Sequence, residues 1–337
     1  MNQPKNDEYL IMVGGISGVI KTISPTQKSI IHEFKKASIF ANEDLEDDQK
    51  EKSGLRTIRS IITTEDSIIV TRESDDIEFY TKEMQLEYEL AGDISDTKDV
   101  AMVGKDRNML LTVESAPYMR LFNCQSFFEK QNAAENDTAS KPKHWRCQLI
   151  SGGHSKDITA VSVFNAGRMV VSGGKDGRVC IWQVEDNSKL QLKLVASLDC
   201  ENNMVRSLCA DETGQYIYVN YSFDDTLAVL TFNDGKLTRQ CVFIKPHSNL
   251  ISSIDANGSL VVTGSKDKTA KLWTYLPKTK EICNKGVLKG HSRGICSVKF
   301  SQLEQLLLTT SMDKTIKLWS LEDFSCVSVS YFRFPFV

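Results

Sequence analysis

The sequence predicts an all-β protein, a β-propeller of about seven four-stranded blades. One motif recurs, since "TGSKDKTAKLW" (Thr263–Trp273) is repeated as "TTSMDKTIKLW" (Thr309–Trp319). Short runs of β-branched residues surround each copy, separated by Gly, Asn or Asp turns, as is typical of strands. Helical periodicity is weak along the chain except in "DTKDVAMVGKD" (96–106), which also fits a strand with a turn. A repeat of about 40 to 45 residues built from strands indicates a propeller.

Three copies of the motif are strong. Each has a Ser or Thr, an Asp four residues later and a Trp six residues after the Asp, and a His precedes the Trp by 28, 26 and 28 residues. The three sets are His154, Ser172, Asp176 and Trp182; His247, Thr263, Asp267 and Trp273; and His291, Thr309, Asp313 and Trp319.

Four weaker copies complete the count of seven. In "VNYSFDDTLAVL", Asn220, Asp224 and Leu230 are assigned the Ser, Asp and Trp places, and no His precedes them. Upstream, three further segments fit progressively less well: "LLTVESAPYMRLF" (110–122), "IIVTRESDDIEFY" (68–80) and "LIMVGGISGVIKT" (10–22). A ring of such units removes most exposed sheet edges.

The repeated polar residues are predicted to hold each blade together. A buried Trp needs an acceptor for its N–H, which the Ser or Thr hydroxyl offers, and the His can link that hydroxyl to the Asp. A Ser–His–Asp set also resembles a hydrolase triad, but a catalytic Ser needs an exposed, strained turn and oxyanion donors. Here Ser172 lies inside a predicted strand and the set occurs three times, so we expect no enzyme and no cofactor.

Bulk composition favours no partner class. The net charge is −3 over 337 residues, so contact with RNA would have to be local. Nine cysteines include no CxxC pair, which indicates neither a zinc site nor a disulfide framework and favours an intracellular protein. The start has no signal-peptide pattern and no apolar run is long enough for a membrane helix.

Five lysines cluster at and after the motif turns. Lys266, Lys268, Lys271, Lys314 and Lys317 are either ordinary solubilising charge or a phosphate-facing patch on one rim, which would attract nucleic acid without reading its sequence.

Two polar segments interrupt the repeats. The acidic run at 41–54 and the polar run at 129–145 contain few apolar residues, so both are predicted to be surface loops. The acidic run is either solvated filler or a docking segment for a basic partner.

With its His-to-Trp spacing, its Asp six before Trp and its repeated "KLW", the chain resembles the WD-repeat family. The resemblance is specific from Gly153 onward and faint before it. It implies a non-catalytic scaffold that presents its rims to several partners. An alternative within the same family is a generic adaptor in signalling or ubiquitin ligase assembly.

The order of the repeats resembles a WD-repeat subfamily found in the small-subunit processome, which has two tandem propellers and a helical C-terminal domain. This resemblance implies that 1–95 holds the last two blades of a first propeller and 96–337 the first five blades of a second. The segment 328–337 would be an atypical tail, and the chain a fragment. The alternative is one closed ring of seven blades.

The same resemblance implies a location and partners. The location would be the nucleus and nucleolus, with a role in pre-rRNA processing and 18S rRNA maturation. The partners would be other small-subunit processome proteins, the U three small nucleolar ribonucleoprotein and pre-rRNA, contacted directly or through other subunits. Neither a membrane nor a small-molecule substrate is expected.

Overall fold

A computed structural model describes twelve stretches of the chain. They are residues 11–14, 20–24, 29–34, 58–64, 67–72, 77–90, 97–124, 147–185, 191–200, 203–222, 225–301 and 304–331. The predicted loops at 41–54 and 129–145 lie outside the described residues, as does 332–337 of the predicted tail.

These residues form seven antiparallel sheets in a propeller arrangement, six with four strands and one with three. The sheets are numbered as blades in chain order. Blade 1 has β1 (Ile11–Gly14), β2 (Ile20–Ser24) and β3 (Ser29–Phe34). Blade 2 has β4 (Ile58–Thr63), β5 (Ile68–Arg72), β6 (Ile77–Tyr80) and β7 (Leu86–Leu90). Blade 3 has β8 (Asp99–Val103), β9 (Met109–Val113), β10 (Met119–Asn123) and β11 (Cys147–Ile150).

The outer strands of blades 4 to 6 are longer, with nine residues each. Blade 4 has β12 (Ile158–Phe164), β13 (Met169–Gly174), β14 (Arg178–Glu185) and β15 (Gln191–Asp199). Blade 5 has β16 (Val205–Ala210), β17 (Tyr216–Tyr221), β18 (Thr226–Asn233) and β19 (Lys236–Ile244). Blade 6 has β20 (Ile251–Asn257), β21 (Leu260–Ser265), β22 (Thr269–Leu276) and β23 (Glu281–Lys289). Blade 7 has β24 (Ile295–Phe300), β25 (Leu306–Ser311), β26 (Thr315–Ser320) and β27 (Cys326–Tyr331).

Successive blades pack side by side, first strand against first strand, from β4 through β8, β12, β16 and β20 to β24. The last blade returns to the first, because β27 lies beside β3. This contact joins the outer strands of the two blades. Closure into one ring of seven blades stays a prediction. The division of the chain at residue 95 into parts of two propellers stays a prediction.

The core lies between blades rather than inside one sheet. Alternation along a strand sends successive side chains to opposite faces. Val170 of β13 packs with blade 3, while its neighbour Val171 packs with blade 5. Blades 2 to 6 each contribute to two such cores, one shared with each neighbour, and blade 7 contributes to the core that it shares with blade 6.

The structure adds detail to two expectations. The segment "DTKDVAMVGKD", in which a trace of helical periodicity competes with a strand, contains the strand β8. The first part of the predicted atypical tail, 328–331, belongs to β27, the outer strand of blade 7.

Candidate functional site: the blade networks and the turn lysines

The four motif residues of blade 4 lie in one hydrogen-bonded chain. Trp182 Nε1 donates to Ser172 Oγ over 2.8 Å. The same oxygen lies 2.8 Å from His154 Nε2, and His154 Nδ1 lies 3.1 Å from Asp176 Oδ1. The other carboxylate oxygen, Oδ2, accepts the Ser155 backbone N–H over 2.7 Å. The chain therefore links two strands, the turn between them and the loop that enters the blade.

Blades 6 and 7 repeat this arrangement with Thr as the central hydroxyl. In blade 6 the Trp273–Thr263, Thr263–His247 and His247–Asp267 distances are 2.7, 2.7 and 2.8 Å. In blade 7 the corresponding distances, from Trp319 through Thr309 and His291 to Asp313, are each 2.8 or 2.9 Å. All twelve residues selected from the sequence thus fall into three copies of one geometry.

Burial fixes the protonation of these groups. Loss of solvent lowers the pKa of His154, His247 and His291 below 6.5, although the paired Asp raises it in each case. The histidines are therefore neutral at pH 7, and a proton on Nδ1 lets each donate to its Asp while Nε2 accepts from the hydroxyl. Burial raises the pKa of Asp313, but hydrogen bonds from Thr315, the Ser292 N–H and His291 outweigh it and bring the pKa to about 2.

This geometry is unsuited to nucleophilic catalysis. The three central hydroxyl residues Ser172, Thr263 and Thr309 are each 0% exposed. Each hydroxyl already lies between an indole N–H and an imidazole nitrogen. A nucleophile must reach a carbonyl carbon next to oxyanion donors, and an enclosed hydroxyl cannot. What these residues can do is satisfy one another's polar atoms inside the blade.

Blade 5 corrects one assignment made from the sequence. In its strand register, Val219 rather than Asn220 holds the position that Ser172 holds in blade 4. Leu230 holds the position of the Trp, as the sequence predicts. The turn between β17 and β18 is one residue longer than in the strong blades, which shifts the alignment by one. Asn220 instead donates to the Thr226 carbonyl. Asp224 lies outside the described residues.

Blades 2 and 3 contain buried ion pairs that the sequence motif misses. In blade 2, Arg72 Nε lies 2.8 Å from Glu78 Oε2, and Tyr80, which takes the Trp place, donates to the same oxygen over 2.8 Å. In blade 3, Arg120 Nε lies 2.9 Å from Glu114 Oε1.

The two pairs occupy equivalent positions with their charges exchanged. The position of the central hydroxyl is held by Val70 in blade 2 and by Thr112 in blade 3. Arg72 and Glu114 lie two residues after it along the chain. Glu78 and Arg120 lie directly opposite it on the next strand. A signal was present in the sequence, since in both pairs two opposite charges stand six residues apart around a turn.

The five predicted rim lysines separate into two groups. Lys266, Lys268 and Lys314 are exposed at the motif turns. Lys271 is half-buried, where its Nζ donates to the Pro246 carbonyl over 2.7 Å and lies 5.9 Å from the centre of the Trp273 ring. Lys317, also half-buried, lies near Gly290. The structure therefore leaves three of the five facing solvent.

Within the described ranges, no group of three or more His, Cys, Asp or Glu side chains has the arrangement of a metal site. In the same part of the chain, we find no helix with the length and hydropathy needed to cross a membrane.

Comparison with known proteins finds WD repeats in the strong blades. The family model described as WD domain, G-beta repeat matches residues 145–183, 238–274 and 283–320. These ranges contain all twelve network residues of blades 4, 6 and 7. The first three strands of blade 5 lie outside them, as do blades 1 and 2.

Curated relatives match a longer part of the chain. It is 29% identical to transducin beta-like protein 3 of Rattus norvegicus over 251 residues, 69% of this chain and 28% of that protein. The human protein of the same name is 30% identical over 240 residues, 66% of this chain and 26% of that protein. Periodic tryptophan protein 2 homolog of Dictyostelium discoideum is 22% identical over 182 residues, 52% of this chain and 19% of that protein. The matched part of this chain thus spans less than a third of the length of these relatives.

Proposed function

We propose that this WD-repeat propeller is a non-catalytic scaffold of ribosome assembly, a component of the small-subunit processome in the nucleolus. It would support pre-rRNA processing and 18S rRNA maturation through contacts with other processome proteins. Contact with the U three small nucleolar ribonucleoprotein and pre-rRNA would follow from that position. The four-residue networks would stabilise the blades whose surfaces make those contacts.

The observation that carries the proposal is the extent of the similarity. Relatives named transducin beta-like protein 3 match 66 to 69% of the chain, so the match extends beyond the three WD repeats. A match due to generic propeller residues alone would be concentrated in those repeats. The enclosed hydroxyls support the non-catalytic part of the proposal.

The test is affinity purification of the tagged full chain from cells of its own organism, with mass spectrometry and RNA sequencing. We expect small-subunit processome proteins, U three small nucleolar RNA and precursor rRNA. Nuclease treatment before capture separates the protein contacts from those that RNA bridges. An unrelated propeller with the same tag is the control. Recovery of neither the proteins nor the RNAs would contradict the proposal.

The second candidate is a generic adaptor for signalling or ubiquitin transfer. A phosphopeptide adaptor grips its ligand with clustered arginines. The exposed turns of blades 6 and 7 present Lys266, Lys268 and Lys314 instead, with Arg293 nearby. Enrichment of ubiquitin ligase subunits or phosphorylated proteins in the same purification would favour this second function.

A further inference from the structure

The same turn places a lysine beside an aspartate in blade 4 and beside a leucine in blade 6. In blade 4 the Lys175 backbone N–H donates to the Asp157 carbonyl, and its side chain pairs with the Asp157 carboxylate at 2.7 Å. In blade 6 the Lys266 N–H donates in the same way to the Leu250 carbonyl. Leu250 thus stands where blade 4 has Asp157, and a leucine offers no charge to Lys266.

Blade 7 brings an arginine to the same place. Gly294 packs closely on blade 6, because a Cβ added to it would lie 3.0 Å from the Lys266 Cα atom. Arg293 directly precedes Gly294, and its carbonyl accepts the Ser311 hydroxyl. Lys266 and Arg293 therefore flank the boundary between blades 6 and 7, on the end of the sheets that carries the networks.

The nearby carboxylates are already engaged. Asp267 accepts from His247, the Ser248 N–H and Thr269. Asp313 accepts from His291, the Ser292 N–H and Thr315. Both aspartates have a lowered pKa and stay ionised at neutral pH. Their charges are directed into the blades, while the cations around them face water.

We call Lys266, Lys268 and Arg293 the basic boundary, with Lys314 at its side. All four side chains are exposed. Lys268 and Lys314 hold the turn position with φ of +74° and +66°, which places two further cations beside the boundary. Blade 4 differs again, because the corresponding residue is Gly177 and the next cation, Arg178, lies 3.7 Å from Asp199.

The surroundings favour a phosphate backbone over an acidic protein. Protein interfaces depend on apolar or aromatic anchors buried at their centre. Within the part of the chain that the structure describes, these turns carry one exposed large apolar side chain, Met312. A single methionine does not form the buried apolar centre of a protein interface. Exposed cations without such anchors bind by charge alone, which suits the regular phosphates of a nucleic acid strand.

We propose that the basic boundary binds the phosphate backbone of single-stranded RNA, with little dependence on base sequence. This inference rests on the proposed function, in which RNA is a partner that the scaffold could meet directly or through other subunits. It assigns the direct contact to the junction of blades 6 and 7. Lys271 and Lys317, which turn inward, lie outside the contact.

The test measures binding of the purified full chain to a fluorescent single-stranded RNA of mixed sequence, by anisotropy at several salt concentrations. The variant changes Lys266, Lys268 and Arg293 to Gln. Its matched control changes Lys236, Lys278 and Lys280 to Gln, three exposed lysines at the opposite end of the sheets. Each phosphate contact adds about 0.7 to the slope of log K against log salt. We therefore expect the boundary variant to lower that slope by about 2 and the control to leave it unchanged.

A second pair of variants neutralises the boundary without removing a cation. Leu250→Asp supplies the carboxylate that blade 4 has at Asp157, and Leu250→Asn is its uncharged control. We expect weaker RNA binding for the Asp variant only, with thermal melting confirming that both fold. Equal binding by the boundary variant and the wild type would overturn the proposal. Tighter binding of poly-glutamate than of RNA at the same sites would also overturn it, in favour of an acidic protein.

The cellular purification distinguishes failure of this proposal from failure of the proposed function. If the boundary variant loses RNA in vitro but still recovers the processome proteins, both proposals hold. If the wild-type chain fails to bind RNA yet recovers those proteins, only the boundary proposal fails.

Discussion

Blades 6 and 2 solve the same packing problem with different chemistry. At the Trp place, blade 6 has Trp273 bonded to a Thr, a neutral His and an Asp. Blade 2 has Tyr80 bonded to a glutamate that also pairs with an arginine. The strand order and the register around these positions are nevertheless equivalent. The fold therefore requires that the buried polar atoms be satisfied, and more than one set of residues can do so.

Blade 5 shows a third solution, without polar atoms. Val219 and Leu230 replace the hydroxyl and the indole together, and both lie in the core shared with blade 4. Exchanging both partners for apolar groups leaves no stranded donor or acceptor, so the exchange costs little. The three kinds of blade should differ mainly in how much stability is lost when one residue of the buried set is replaced.

The largest effect is expected from breaking the ion pair of blade 2. Glu78→Gln leaves the Arg72 guanidinium, whose side chain is 3% exposed, without its counter-charge. Removing one partner of a buried pair costs about 3 to 5 kcal/mol. The free energy of urea unfolding measures this loss, and hydrogen exchange assigns it to β5 and β6. The double variant Arg72→Met/Glu78→Leu should be much less destabilised, and an equal loss in both would contradict the comparison.

A smaller loss is expected from breaking one network. Asp267→Ala removes the carboxylate that His247 Nδ1 reaches at 2.8 Å and leaves it the Thr269 hydroxyl at 3.3 Å. The loss should destabilise blade 6 by about 1 to 3 kcal/mol. Lys268→Ala, the next residue in the same turn, is the control and should stay within about 0.5 kcal/mol. Equal shifts in the melting temperatures of the two variants would count against the network.

Lowering the pH should destabilise the blades that contain a network His more than the others. The pKa of each network His is lower in the fold than the 6.5 of an unperturbed His, so the unfolded chain binds more protons near and below that pH. The neutral histidines therefore contribute stability above about pH 6.5 that is lost as the pH falls through it. Between pH 7.5 and 5, the hydrogen-exchange protection factors should fall in blades 4, 6 and 7 more than in blades 2 and 3. A uniform change in all five blades would argue against this difference.

The smallest effect on stability is expected at the residue that follows the network Asp in the turn. Gly177, Lys268 and Lys314 share one turn position with φ of +80°, +74° and +66°. A left-handed backbone is favourable for glycine and costs a side-chain-bearing residue energy. Gly177→Ala should therefore lose about 1 kcal/mol, and Lys314→Gly should gain a few tenths, both read from urea midpoints. A loss on Lys314→Gly would show that the lysine side chain contributes more than its backbone costs.

The sequence predicted what depends on local repetition. The propeller and the three networks follow from residues at fixed spacing after Gly153, because each blade is built from adjacent strands. The Asn220 assignment was wrong because a single extra turn residue shifts the register, and residue types alone cannot reveal that shift. The pairs Arg72–Glu78 and Glu114–Arg120 were missed because their residue types differ from the motif, although their spacing was visible. Lys271 and Lys317 hold the same motif place, two residues before the Trp, and each lies beside the residue that precedes the network His. Their half-burial was missed because a lysine at a repeated position does not show by its type which way its long side chain turns.

The meeting of β27 with β3 has a consequence for the order of folding. Most neighbouring strands come from consecutive parts of the chain, so each blade can form as soon as its own segment is available. The contact between β27 and β3 joins segments almost the full described length apart. Contacts between distant segments form slowly, because the intervening chain must first be ordered. The contact between blades 1 and 7 is therefore expected to form after the contacts within each blade.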